Sequence, residues 1–397
     1  MNPDLSRLHA YPFQRLAALT RGVAAADKPP ISLSIGEPRH EPPPFLQAAA
    51  LEGLAGCSAY PSTRGSRALR EAAAAWANRR YRLARRPLDP ETEVLPCCGT
   101  REALFAVAQA LVDRGREAVV MMPNPFYQIY EGAALLAGAT PYYLNTDAGD
   151  DYRLPLEEVP EGVWRRTQLV YVCSPGNPTG AVLGRETYAE LIERAGHYGF
   201  AIASDECYSE LYFDEDAPPA GLLQVAAELG VPDYRRCLVF QSLSKRSNLP
   251  GLRSGFVAGD PRLIEAFFRY RTYHGCAMPA VSQAVSAAAW RDEAHVAANR
   301  ALYREKFDAV LATLGPALEV APPQAGFYLW PRTPVDDEAF ARDLLARENV
   351  AVLPGRYLSR PAAGGDPGAG RVRMALVAPL AECREAAERI RHFVEGL

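Results

Sequence analysis

From residue 92 to about residue 260 the chain repeats one pattern. A short apolar run is followed by a polar loop, and most runs are separated by a helical stretch. The runs are TEVLPC, AVVMMP, TPYYL, QLVYVCS, FAIASD, CLVFQS and SGFVAGD, with helical patterns such as Arg101–Val112 and Glu186–His197 between them. Short apolar strands alternating with helices predict an α/β fold with a largely parallel sheet covered on both faces. Such a sheet gathers functional side chains in the loops beyond the strand C-termini. The loops CCGTRE, NPFYQIY, SPGNPTG, SDECYSE and SLSKRS follow the runs and hold the polar residues, as that placement requires.

The flanking segments have a different texture. An arm and a short helix precede a strand at Ile31–Ile35, and the Gly/Pro loop SIGEPRHEPPP follows. Phe45–Leu54 reads as a helix, AYPSTRG as a turn, and Ser66–Tyr81 as an amphipathic helix with Leu69, Ala72, Ala73 and Trp76 on one face. After about residue 280 a long helical stretch, Val281–Leu314, is predicted to bend at Arg291–Glu293. A strand at QAGFYLW, a helix at Asp337–Glu348, a strand at GRVRMALV and a last helix at Leu380–Phe393 complete the chain. Expected units are an arm and part of a small domain at 1–45, a large domain at 46–285 and a small domain at 286–397.

At 397 residues the chain exceeds one small core, and its net charge of −4 favours neither nucleic acid nor an anionic membrane. No apolar run approaches the ~20 residues that span a bilayer. The N-terminus has no apolar signal core, so a cytoplasmic protein is expected. Eight cysteines include no C-x-x-C pair and sit mostly in apolar contexts, which reads as buried thiols rather than disulfides or a metal site.

Of 43 basic residues only Lys28, Lys245 and Lys306 are lysines. Lysine can lose its proton and attack a carbonyl carbon, which arginine cannot do in water. Lys245 lies in FQSLSKRSNLPGLRSGF, where Ser242 and Ser244 offer hydroxyls and Arg253 a planar fork for a phosphate. A phosphorylated aldehyde bound as a Schiff base on a lysine is the chemistry of pyridoxal 5′-phosphate. Read alone, a surface lysine before a Pro-Gly turn has the same appearance.

Four further motifs fit that chemistry. Gly99, Thr100 and Arg101 open a helix whose free N–H groups can hold a phosphate, though many Gly-Thr helix starts are only caps. Asp205 follows an apolar strand, where a carboxylate needs a partner such as a pyridinium nitrogen, and Tyr208 could donate to the ring's 3-oxygen. An N-cap aspartate with a core tyrosine is the alternative. Asn177 in SPGNPTG can reach the same oxygen, and Tyr127 in NPFYQIY can stack on the ring or serve as ordinary core. Arg373, among apolar residues of a predicted strand, suits a substrate carboxylate, with Arg371 competing for that role.

The order CGTRE, NPFY, SPGNPTG, SDECY, SLSK…PGLRSGF and VRMAL resembles the fold-type I pyridoxal-phosphate aminotransferases, class I/II, over essentially the whole chain. That resemblance implies a large domain with a seven-stranded, mostly parallel sheet, a smaller α+β domain built from both termini, and a homodimer. It implies Lys245 as the lysine that binds the coenzyme and shuttles the proton. Asp205 would hold the ring nitrogen, Tyr208 and Asn177 the 3-oxygen, and Tyr127 the ring face. Gly99, Thr100, Arg101, Ser242, Ser244 and Arg253 would surround the phosphate, joined by Tyr60 from the neighbouring subunit. Arg373 would grip the substrate α-carboxylate, beside Gly36 and Asn177. Within that family, PISLSIGEPRH, YRTYHGCAMP and LYREKFDAV look most like the branch acting on N-succinyl-LL-2,6-diaminopimelate with glutamate and 2-oxoglutarate. Aspartate, aromatic or other amino acids are the alternative substrates. Arg39, Arg64 and Arg271 are candidates for the extra carboxylates, and His274 reads as structural or interfacial. Cys98 stands where many relatives have a serine.

Overall fold

The structure is a computed structural model that describes residues 1–397. Its strands, in chain order, are β1 (Ile31–Ser32), β2 (Val94–Cys97), β3 (Val119–Asn124), β4 (Thr140–Asn145), β5 (Thr167–Cys173), β6 (Ala201–Asp205), β7 (Cys237–Ser242), β8 (Gly255–Gly259), β9 (Tyr328–Leu329), β10 (Val350–Ala351), β11 (Leu353–Pro354) and β12 (Val372–Ala375). All seven predicted apolar runs become strands of one sheet, in the order β2-β8-β7-β6-β5-β3-β4. The pairs among β3 to β7 are parallel, and β8 runs antiparallel to both β2 and β7.

Period-two alternation explains why these strands read as continuous apolar runs. Val170 and Val172 of β5 join one core, while Leu169 and Tyr171 join the core on the opposite face. Helices after the strands cover both faces. Among them are Thr100–Leu111 after β2, Gln128–Leu136 after β3, Arg185–Tyr198 after β5 and the four-residue Leu243–Arg246 after β7.

A third core draws on both ends of the chain. Ile31 and Leu33 pack with Phe307, Leu344, Val350, Met374 and Ile390, and β1 pairs in parallel with β10. Beside it β11, β12 and β9 form a small antiparallel sheet.

Two expectations change in detail. The long stretch after residue 280 is two helices, Ala280–Arg291 and Ala294–Leu314, rather than one bent rod. Asp292 turns extended, with φ −105° and ψ 131°, and its Oδ1 accepts from the His295 amide at 3.0 Å, so a new helix starts there. The strand in QAGFYLW shrinks to two residues because Gly326 takes φ 90°. No helix is long and apolar enough to cross a membrane.

Candidate active site

Strand β7 ends at Ser242, whose Oγ accepts from the Ser244 amide at 3.1 Å and starts the Leu243–Arg246 turn. That turn aims Lys245 into a cavity of about 530 Å³ beyond the C-terminal ends of the central strands. Lys245 Nζ donates to the Gly36 carbonyl at 2.6 Å. Burial pushes this amine down from 10.5 to about 8, with the Arg373 and Arg253 charges acting in the same direction. An amine held there is partly neutral near physiological pH and able to attack a carbonyl carbon.

Asp205 sits at the end of β6 and is buried. Its Oδ2 accepts from Tyr130 Oη at 2.6 Å and its Oδ1 from the Cys207 amide at 3.2 Å. Burial nonetheless raises its pKa, because those two donors do not replace full hydration. Tyr127 lines the same wall, packed edge-on against Tyr130 with ring centroids 5.7 Å apart. Tyr208 and Tyr328 share a hydrogen bond of 3.0 Å between their hydroxyls. Arg373 on β12 donates through Nη1 to Asn177 Oδ1 at 3.1 Å and through Nη2 to Ser34 O at 2.8 Å. Its Nε is buried and has no partner.

One end of the cavity is an anion cup. Gly99, at φ 87°, precedes the helix Thr100–Leu111 and lies against the Arg253 guanidinium. Thr100, Ser242, Ser244 and Arg253 line this end. Arg253 itself takes the left-handed φ of 52°, which folds its side chain back so that Nη1 reaches Pro250 O at 2.9 Å.

Charge shows what the cavity can hold. Its lining contains Arg101, Arg253, Arg373 and Lys245 against two carboxylates, Glu37 and Asp205. The hydrogen bonds of the four cations go to tyrosine hydroxyls, an asparagine oxygen and backbone carbonyls, never to a carboxylate. Uncommitted cations around a cavity require anions, and a buried carboxylate on the floor requires a protonated partner. A phosphate in the cup, a pyridinium over Asp205 and a carboxylate at Arg373 satisfy all three demands. The residues present therefore fit pyridoxal 5′-phosphate.

The structure thus brings together Gly36, Thr100, Arg101, Tyr127, Asn177, Asp205, Tyr208, Ser242, Ser244, Lys245, Arg253 and Arg373, with Gly99 behind Arg253. Tyr60 is fully exposed and outside this cavity. The three arginines suggested for extra carboxylates do not line it. Arg39 pairs with Glu382 at 2.8 Å, Arg64 with Glu265 at 3.0 Å, and Arg271 is buried against Glu102 at 3.1 Å. His274 is exposed and also lies outside. Arg371 lines a second cavity with Tyr152, Thr179 and Gln324, and its Nη1 donates to Trp330 O at 2.9 Å. It precedes β12, and of the two arginines only Arg373 lines the cavity that holds Lys245. Sequence reasoning missed Tyr130 and Tyr328. Tyr130 lies three residues after Tyr127, one helical turn on, and that spacing was the available signal.

Comparison with known proteins bears on the same residues. The family model described as aminotransferase class I and II matches residues 28–390. The LL-diaminopimelate aminotransferase of Desulforudis audaxviator is 32% identical, over 98% of this chain and 96% of that protein. Among solved structures, an aminotransferase from Neisseria meningitidis superposes with a TM-score of 0.94 at 47% identity, covering 99% of this chain and 100% of the other. A probable N-succinyldiaminopimelate aminotransferase from Thermus thermophilus gives a TM-score of 0.84 at 30% identity, covering 96% and 99%.

Proposed function

The chain belongs to the class I and II aminotransferases, and on that footing we propose that Lys245 is its catalytic base and N-succinyl-LL-2,6-diaminopimelate its substrate, with 2-oxoglutarate as the amino acceptor. The enzyme is a transaminase dependent on pyridoxal 5′-phosphate, acting between amino acids and 2-oxo acids. The coenzyme supplies an aldehyde that an amine can capture and an aromatic ring that draws electrons away from the substrate Cα.

This chain's residues do the rest. Asp205, held by Tyr130, would keep the ring nitrogen protonated. Tyr208 and Asn177 would donate to the ring's 3-oxygen, and Tyr127 would cover one face. Gly99, Thr100, Ser242, Ser244 and Arg253 would receive the phosphate together with the backbone N–H of Arg101, whose guanidinium is turned to Tyr11 and Tyr127, and Tyr60 would reach the same group in the second subunit of a homodimer. Arg373, whose Nε has no partner, would grip the substrate α-carboxylate and fix the direction of the Cα–H bond. Lys245 Nζ then takes the Cα proton, which an amine near pKa 8 can both accept and return at cytoplasmic pH. The observation that carries this reading is the partly buried lysine of lowered pKa between an anion cup and an unpaired arginine.

The substrate rests on likeness. Relatives named for LL-diaminopimelate and a structure named for its N-succinyl form both cover nearly the whole chain. Free LL-diaminopimelate is the second reading, favoured by the names of several curated relatives at about 30% identity. Half-reaction spectroscopy separates the two. Each donor is mixed with the coenzyme-loaded enzyme, and the loss of the coenzyme's visible band is followed. Conversion by the succinylated donor far faster than by the free one, by aspartate or by phenylalanine supports the proposal. Preference for any other donor overturns the substrate assignment.

A further inference from the structure

Two of the three lysines are accounted for. Lys28 pairs with Glu348, and Lys245 faces the cavity. Lys306 lies on the buried side of the helix Ala294–Leu314, 2% exposed, and has no carboxylate partner. Its Nζ lies 2.6 Å from His40 Nε2 and donates to Val377 O at 3.4 Å. His40 Nδ1 lies 2.7 Å from Asn299 Oδ1. Asn299 Nδ2 in turn donates to the carbonyls of Lys245, at 3.2 Å, and Arg246, at 3.3 Å.

One arrangement of protons satisfies every link. The two carbonyls only accept, so the asparagine must present its NH₂ to them. Its Oδ1 then faces His40 and also accepts from Asn248 Nδ2 at 3.0 Å. His40 must therefore carry its proton on Nδ1, leaving Nε2 to accept from Lys306. The path is a closed circuit around Lys245. Gly36 and His40 are the two ends of the loop GEPRH, and Lys245 Nζ donates to Gly36 O at 2.6 Å. Lys245 is thus held at its backbone carbonyl by Asn299 and at its amine by the loop that His40 anchors.

We propose that Lys306 and His40 are positioning residues for the reaction, which hold the loop 36–40 and the Lys245 carbonyl in one register and so aim the Lys245 amine at the reacting carbon. This rests on Lys245 being the base. The groups around Lys306 Nζ are His40, the Tyr303 ring with its centroid 5.0 Å away, Cys383, Glu382 and Arg39. Burial lowers Lys306 to about 8 and also lowers His40, which keeps the imidazole neutral and in a single tautomer.

The test uses the coenzyme-loaded enzyme and the variants Lys306→Met, Lys306→Arg and His40→Phe. The last keeps a ring packed on Tyr303, whose centroid lies 4.7 Å from that of His40. Borohydride reduction followed by peptide mass spectrometry identifies the lysine that carries the coenzyme. Labelling at another residue in the wild type refutes the Lys245 reading. With labelling at Lys245, Lys306→Met and His40→Phe are expected to slow the single-turnover half-reaction about tenfold at unchanged donor KM, since a misaimed group costs rate rather than binding. Lys306→Arg, which still donates to Nε2, is expected to recover most of that loss. Long-range ¹⁵N–¹H spectra of histidine-labelled protein should show the Nδ1–H tautomer at His40 in the wild type, and in Lys306→Met a shifted Nε2 resonance that has lost its donor while Nδ1 keeps its proton. A rate within twofold of wild type in whichever of the two variants folds overturns the inference. So does an Arg variant no better than Met, or a wild-type His40 protonated on Nε2.

Discussion

Replacing Gly99 by alanine should weaken the anion cup without substituting any charged residue. Gly99 holds φ 87° and ψ 149°, a region essentially closed to residues with a Cβ, so alanine there carries about 1–3 kcal/mol of backbone strain. The larger effect is steric. An added Cβ would lie 2.2 Å from Arg253 Nη2 and 2.8 Å from its Cζ, whereas ordinary contact begins near 3.4 Å. Arg253 must swing by more than an ångström and leave the cup. A charge-assisted hydrogen bond is worth about 1.5–3 kcal/mol, so coenzyme affinity should fall about ten- to hundredfold. Titrating the coenzyme-free protein with pyridoxal 5′-phosphate and following absorbance measures this. The decisive comparison is a double-mutant cycle with Arg253→Ala. If Gly99 acts through Arg253, Gly99→Ala adds little to the binding loss once that guanidinium is gone, although stability still falls. A Gly99→Ala protein that binds coenzyme as tightly as wild type, or an equal loss in both backgrounds, would refute the reasoning.

Lys245→Ala is expected to abolish turnover and the visible band of the bound coenzyme, checked by absorbance and a coupled assay. Arg373→Ala should raise KM for all amino and 2-oxo acids about a hundredfold, the loss of a bidentate carboxylate contact, while Arg371→Ala stays within about twofold of wild type in the same assay. The pH dependence of coenzyme capture follows from the lowered pKa of Lys245. Its neutral amine is the nucleophile, so the capture rate should climb with pH and level off above about 8, and a plateau reached only near 10.5 would show that burial has no such effect. Because the folded chain releases this proton at lower pH than the unfolded chain, the group's contribution to stability rises with pH between about 8 and 10.5, readable as the pH slope of denaturant midpoints. Arg101→Gln should slow an N-succinylated donor more than glutamate, measured as the ratio of kcat/KM values.

Most of the fold was legible because it follows from a local pattern. Seven apolar runs with helices between them have few arrangements open to them, and each run became a strand of one sheet. The candidate site was legible for the same reason, since the loops after β2, β3, β5, β6 and β7 must meet at one edge. Contacts that depend on distant segments were not legible. Tyr130 is seventy-five residues from Asp205 in sequence and one hydrogen bond away in space. Arg39 and Arg271 read as free cations because Glu382 and Glu102, which neutralise them, lie far along the chain. Arg371 and Arg373 are equivalent by alternation, yet in the fold they line different cavities, which no local pattern distinguishes.

That redistribution of arginines constrains the substrate more tightly than sequence likeness does. An N-succinyldiaminopimelate carries one carboxylate at its reacting end and two more at the far end, with no ammonium beside them. Arg373 is suited to the first, and Arg253 faces the phosphate cup. Arg39, Arg64 and Arg271 are already paired. Of the cations lining the cavity, Arg101 is left, steadied by the hydroxyls of Tyr127 at 2.8 Å and Tyr11 at 2.9 Å. One guanidinium can answer one carboxylate, which leaves the second without a partner among the cations of this cavity. Free diaminopimelate poses no such problem, because its distal carboxylate brings its own ammonium. A succinylated substrate therefore demands a further cation from outside this chain's own cavity, and the second subunit of the proposed homodimer is the place from which it would come. The substrate assignment and the dimer stand together: a monomeric enzyme with full activity toward the succinylated donor would require one of the arginine pairs seen here to break.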